Sequence, residues 1–309
     1  MPRTQPVEGG VALLDLELGG TPQVLGAYLL LDEEPALVET GPSSCLRALE
    51  AGLAEHGLSV SDLRAAVVTH IHLDHAGAAG VLARRNPRLR IYVHPVGAPH
   101  LAHPERLLRS ARRLYGELLE ALWGEVAPVP LDQIVAVQNG ERIRVGGRVL
   151  RALDTPGHAN HHHVFLDERT GLMFTGDAAG VSLPGCSVVR PPTPPPELDL
   201  EVWERTLDRM AELAPRRLAL THFGVRDDPE AVLEEMRRRL REMAEVLRPG
   251  WEAGEDVERL TERLRRSLDP EIEARCGAQT AARQETAASY RLNVLGFVRY
   301  FEKTRPASG

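Results

Sequence analysis

Lysine is almost absent from this 309-residue chain: of 37 basic residues only Lys303 is a lysine, and it lies beside a polar tail. That excludes Schiff-base, P-loop and Ser–Lys chemistry, each of which needs a lysine at the reacting centre. Cysteine is scarce too. Cys45, Cys186 and Cys276 are odd in number, widely spaced and without a Cys-x-x-Cys pair, so neither a disulfide framework nor a zinc ribbon is expected. No apolar run approaches the ~20 residues a membrane helix needs. The opening Met1-Pro2-Arg3-Thr4-Gln5-Pro6 lacks the apolar core of a secretory signal, so the chain is read as cytoplasmic with no membrane partner. A formal charge of −7 leaves no basic surplus for nucleic acid. What remains is ordinary globular composition, 43% hydrophobic and 26% charged, long enough for one large domain or a core with an appendage.

Histidine, by contrast, is gathered. Thr69-His70-Ile71-His72-Leu73-Asp74-His75-Ala76-Gly77 follows the apolar run Ala65-Ala66-Val67-Val68, which reads as a buried strand. If the backbone stays extended, His70 and His72 point the same way. Asp74 and His75 then open a helix of small residues, where an acidic side chain is favourable.

Around this loop the chain alternates strands and helices. Residues 10–40 read as an antiparallel meander that ends in the turn Glu39-Thr40-Gly41-Pro42, and a helix is expected to about His56. Leucine spacing makes 97–124 helical, which sets off an insertion or cover over about 97–130. Residues 133–177 return to strands, with Asn139-Gly140 and Gly146-Gly147 as hairpin signals. The prolines of 191–196 require an extended loop. From Pro229 three helices are expected, over 229–248, 252–268 and 280–302, punctuated by Pro249-Gly250 and Asp269-Pro270. The division is a catalytic unit over 1–226 and a helical C-terminal unit over 227–309.

Four strand-like runs each lead into a residue able to bind a metal: 65–69 into His70, 149–153 through Asp154-Thr155-Pro156-Gly157 into His158, 172–176 into Asp177, and 218–221 into His222. If the strands lie in packed sheets, their ends gather on one edge. His-x-His-x-Asp-His at 70–75, Thr-Pro-Gly-His at 155–158, Thr-Gly-Asp at 175–177 and Thr-His at 221–222 resemble the metallo-β-lactamase-fold hydrolases, most of all the hydroxyacylglutathione hydrolase (glyoxalase II)-like branch. The resemblance implies an α+β fold, an αββα sandwich carrying a helical insertion and a C-terminal helical segment. It also implies a two-metal site. His70, His72 and His158 would hold one ion, Asp74, His75 and His222 the other, and Asp177 would bridge them.

The donor chemistry agrees. Five imidazoles and two carboxylates suit zinc, with iron or manganese as alternatives in an N/O site, and the absence of thiolate argues against a closed structural zinc. Two such ions are expected to hold a bridging hydroxide that attacks a small thioester, ester or lactone. Asp74 is expected to be catalytic as well as a ligand. A phosphodiesterase or nuclease of the same superfamily, or an iron-dependent sulfur dioxygenase, is the alternative. His161, His162 and Tyr290 are candidates for contact with the small-molecule substrate. The other readings of these residues are a polar loop and core packing. Cys186 reads as a small buried residue, and His94 as structural. The arginines of 84–113 read as a solvated face, the alternative being a seat for an anionic substrate tail. A homo-oligomer stays open.

Overall fold

A computed structural model describes residues 3–305. Among these residues the strands form two sheets. The first takes its strands in chain order: β1 (Thr4–Val7), β2 (Val11–Asp15), β3 (Gly26–Leu30), β4 (Ala36–Val38), β5 (Ala65–Val67), β6 (Arg90–Val93) and β7 (Ile134–Ala136). β1 to β4 are the expected antiparallel meander, extended by an edge strand whose exposed Pro6 an edge tolerates. The pairs from β4 to β7 are parallel, so each needs a crossover. The crossovers are α1 (Leu46–Glu55), then α2 (Leu73–Ala76) with α3 (Ala79–Arg85), then α4 (Ala98–Ala102), α5 (Glu105–Tyr115) and α6 (Leu119–Trp123).

The second sheet holds β8 (Arg142–Val145), β9 (Arg148–Asp154), β10 (His163–Asp167), β11 (Leu172–Gly176), β12 (Arg217–Leu220) and β13 (Gly224–Arg226), in the order β13-β12-β11-β10-β9-β8. Gly146-Gly147 makes the expected β8–β9 hairpin. Asn139-Gly140 does not make one. It lies in the connection from β7 to β8, where the chain changes sheets, and the Asn139 side chain accepts a hydrogen bond from Asp154 N.

Period-two alternation explains how the layers stack. On the second sheet Phe165, Leu172, Phe174 and Ala219 face the first sheet and join its core. Val164, Met173, Leu218 and Leu220 face outward onto α7 (Leu200–Glu212) and the C-terminal helices. Both faces of the second sheet are therefore buried, and the Tyr28 hydroxyl ties the sheets by donating to Leu220 O at 2.7 Å. This is the expected αββα sandwich.

The C-terminal helices differ from expectation. Among the described residues they are four: α8 (Pro229–Glu252), α9 (Val257–Cys276), α10 (Ala278–Ala287) and α11 (Tyr290–Thr304). Pro249 and Pro270 do not end their helices. Each removes one backbone bond, but the buried stripes run past them, through Leu247 to Gly250 in α8 and from Leu264 and Leu268 to Ile272 in α9. Packing outweighs the local preference.

The cysteines also require a correction. Cys186 and Cys276 form a disulfide across a sequence separation of 90, and Cys45 is buried and free. Their spacing carries no signal because α9 brings them together by docking on the loop that holds Cys186. Arg275 donates to Ser187 Oγ at 2.8 Å from the same turn of α9. A cross-link closing so long a loop contributes about 2–4 kcal/mol. Cys186→Ser should therefore lower the melting temperature of the oxidised protein, with a single titratable thiol in denatured wild type. Three titratable thiols would overturn the pairing.

Candidate metal centre

His72 is extended, with φ and ψ of −60° and 152°, and α2 begins at Leu73. His70 and His72 project together, with His70 Nε2 3.0 Å from His72 Nδ1. From the second sheet, Gly157 turns the backbone after β9 at φ +127°, hard against the Trp203 backbone, and delivers His158. His158 Nε2 lies 2.9 Å from His72 Nδ1. β11 delivers Asp177 and β12 delivers His222, side by side because these strands are parallel neighbours.

Asp177 divides the donors. Its Oδ2 lies 3.3 Å from His158 Nε2 and 3.9 Å from His70 Nε2. Its Oδ1 lies 3.3 Å from His75 Nε2 and 3.4 Å from His222 Nε2. Asp74 Oδ2 closes the second set, 3.7 Å from His75 Nε2 and 3.5 Å from His222 Nε2. The seven side chains thus come together as two groups, His70–His72–His158–Asp177 and Asp74–His75–His222. Asp74 is the most open of the carboxylates, with a side chain 21% exposed against 4% for Asp177, so solvent reaches the cluster on its side.

The residues fit divalent ions. His75 Nε2, His222 Nε2 and Asp177 Oδ1 are buried without a hydrogen-bond partner, which is costly unless something fills the space between them. Burial, then the neighbouring imidazoles, hold His70 and His72 well below the usual histidine range, so both are neutral with lone pairs to offer. Burial pushes the Asp177 carboxyl up, but His75 and His158 outweigh it and keep it well below the carboxylate range. Asp74 behaves alike: burial raises it, His75 and His222 lower it, and it comes to about 2.

The outer nitrogens are held as ligand histidines need. His158 Nδ1 donates to Pro192 O at 2.8 Å and His222 Nδ1 to Val24 O at 2.8 Å. His75 Nδ1 donates to Glu39 Oε1 at 3.0 Å. Glu39, which our reading of the sequence treats only as part of a turn, is fully buried and also accepts from Thr69 Oγ1 at 2.6 Å, Thr69 N at 3.2 Å and Thr221 Oγ1 at 3.2 Å. A signal was present, since Glu39 follows β4 as the other site residues follow their strands.

The substrate candidates fare differently. His162 is fully buried, with Nδ1 2.7 Å from Thr155 Oγ1 and Nε2 accepting from Asp177 N at 3.2 Å. It braces the Asp177 backbone and faces no open space. His161 stays near the cluster, its ring 5.5 Å from that of His72 and its Nε2 3.7 Å from Glu197. Tyr290 is 2% exposed, donates to Asp269 at 2.8 Å and lies under the Arg190 guanidinium, within the core formed by the C-terminal helices. Tyr115, at the end of α5, is half-buried and packs against Trp123 at 5.2 Å. Burial raises its phenol, and the Asp74 charge adds to the effect. On the same helix Arg106, Arg109, Arg112 and Arg113 are exposed.

A third group, His94–Asp154–His163, has the donor types of a metal site but not the tautomers. Val96 N donates to His94 Nδ1 at 3.0 Å, so in the neutral ring Nε2 carries the proton and points it at Asp154 Oδ1, 3.4 Å away. His163 Nε2 lies 2.7 Å from the same oxygen. The trio is a carboxylate shared by two imidazoles, linking the end of β6 to β9 and β10.

This fold and donor arrangement define a class, and comparison with known proteins supplies its name. The sequence model of the metallo-beta-lactamase superfamily matches residues 26–222, a span containing all seven donors, and the chain belongs to that superfamily. A metallo-beta-lactamase fold-containing protein of Sulfurisphaera tokodaii is 31% identical over 163 residues, 52% of this chain and 60% of that one. An atrochrysone carboxyl ACP thioesterase of Aspergillus fumigatus is 29% identical over 240 residues, 74% of this chain and 62% of that one. The chain thus spans under two thirds of the length of either relative. A crystal structure of a metallo-beta-lactamase family protein from Thermus thermophilus superimposes with a TM-score of 0.70 at 25% identity, covering 95% of this chain and 93% of that one. No helix among the described residues is long and apolar enough to cross a membrane.

Proposed function

We propose that this protein is a dinuclear metal-dependent hydrolase of small thioesters, esters or lactones, working in the manner of the glyoxalase II-like enzymes. One observation carries the reading: the two Asp177 oxygens face separate donor sets, and unpartnered buried atoms line the space between them. His70, His72 and His158 would hold one ion, Asp74, His75 and His222 the other, with Asp177 shared. When bound, two zinc ions would lower the pKa of a shared water towards ~7 and polarise the scissile carbonyl.

The chain's own groups do the rest. Glu39, Pro192 O and Val24 O take the Nδ1 protons of His75, His158 and His222, so in each neutral ring the lone pair is on Nε2 and faces inward. Asp74 stays ionised at the open side and can accept a hydrogen bond from water there, orienting it. His161, whose ring lies 5.5 Å from that of His72, is the polar group we assign to substrate contact, and the thioesterase relative supports a thioester as the first substrate to try.

The test is metal analysis with a substrate panel. Purified protein should contain about two zinc ions per chain, lose its hydrolytic activity to a chelator and regain it with zinc. Fully loaded protein inert towards thioester, ester and lactone would overturn the proposal. Turnover of a phosphodiester alone, or oxygen uptake with a persulfide by iron-loaded protein, would replace it.

A further inference from the structure

We infer that Asn293, on the C-terminal helix α11, is a positioning residue for His158. The inference rests on the metal-site reading above. His158 Nε2 can face its ion only while Nδ1 is held, and the group holding Nδ1 is the Pro192 carbonyl at 2.8 Å. Trp203 packs an edge against the His158 ring at 5.5 Å, but its indole N–H goes to Ala178 O and leaves Nδ1 untouched.

Pro192 belongs to no strand or helix, so its carbonyl must be placed by its neighbours. Upstream, the pairing of Arg190 with Val181 stops short of it. From Pro191 onward the anchor is α11. Asn293 Nδ2 donates to Pro191 O at 3.0 Å, and Asn293 Oδ1 accepts from Thr193 N at 2.8 Å. One carboxamide, 1% exposed, thus grips the chain on both sides of Pro192. Thr193 Oγ1 adds a bond to Asn293 O at 3.3 Å. One turn on, Gly296 brings the helix backbone against the segment, since a Cβ there would lie 1.8 Å from Thr193 O. The line from Asn293 through Pro192 to His158 Nδ1 is continuous and buried, and it makes a residue of the last helix part of the metal centre.

Asn293→Ala should raise the dissociation constant of one of two zinc ions about 10- to 100-fold, the usual effect of losing a partner behind a ligand. Chelator competition measures this, and stoichiometry at limiting zinc should fall from two towards one. The ligand-field spectrum of cobalt-loaded protein should change. A merely structural role would lower the melting points of metal-free and metal-loaded protein together, whereas a positioning role shrinks the gap between them. Arg299→Ala, on the exposed side of α11, should leave all these readouts unchanged. If Asn293→Ala does not fold, Asn293→Asp keeps the acceptor for Thr193 N, replaces the donor to Pro191 O by a carboxylate oxygen that repels it, and is read in the same way. A folded variant with two zinc ions at wild-type affinity and an unchanged cobalt spectrum overturns the inference and leaves the metal site standing. Wild type without affinity for zinc or cobalt overturns both.

Discussion

Asp177→Ala is expected to cost more than about a thousandfold in kcat/KM, about 4 kcal/mol of transition-state stabilisation, and to leave the protein with fewer than two zinc ions. No other donor serves both sets: Oδ1 lies 3.3 Å from His75 Nε2 and Oδ2 3.3 Å from His158 Nε2. Alanine removes both oxygens and leaves His70 and His158 with no carboxylate beside them, while Asp74 remains beside His75 and His222. Asp177→Asn separates charge from shape, because the amide keeps the outline while losing the negative charge and one acceptor. It should retain the fold and lose most of the activity. Metal analysis and steady-state kinetics on the purified variants provide the check, and an Asp177→Ala enzyme with two tightly held ions would refute the shared-ligand role.

Glu39→Gln should be the most damaging single substitution outside the ligands. The carboxylate accepts from Thr69 Oγ1, Thr69 N, Thr221 Oγ1 and His75 Nδ1, joining β4, β5 and β12 behind the metal centre. An amide offers one acceptor atom where two are used, and turns a donor towards groups that donate already. Leaving one or two buried donors unsatisfied costs about 3 kcal/mol. Affinity at the Asp74–His75–His222 set should fall about 10- to 100-fold, because His75 loses the partner that fixes its tautomer. The backbone at Glu39 is left-handed, at φ 68°, a conformation costing a non-glycine residue about 1–3 kcal/mol. The bonds to its side chain hold it there. Thermal unfolding and zinc titration test both effects, and wild-type values in each would show that Glu39 is not the brace.

Much of the site was legible because its chemistry is written in short, local patterns. His70, His72, Asp74 and His75 fall in one loop, and a strand-then-ligand order recurs at His158, Asp177 and His222. Each of these residues comes after an apolar strand-like run, and the second sheet is parallel between β11 and β12. Glu39 shared that syntax but sat in a turn of ordinary composition. Its four donors come from residues 30 to 182 positions away, so its place after a strand was the one local mark.

Other features depended on distant segments. Asn139-Gly140 has the composition of a hairpin turn, yet it changes sheets because β7 finds its partner in β6. Pro249 and Pro270 are local helix breakers overruled by stripes of buried leucine and methionine. The bond between Cys186 and Cys276 exists because α9 docks beside the loop before Arg190, and His162 braces Asp177 only because β10 lies beside β11.

By itself the sequence determined the candidate metal-binding groups, their order along the chain and the alternation of faces that stacks two sheets between helices. Those are properties of near neighbours, and spacing encodes them. The tertiary structure alone decided how two sets of donors meet across Asp177, that Glu39 stands behind His75, and that Asn293 grips the chain on both sides of the Pro192 carbonyl behind His158. Each of these joins residues that are remote in sequence, and only the burial of the sandwich and its last helices brings them within hydrogen-bonding distance.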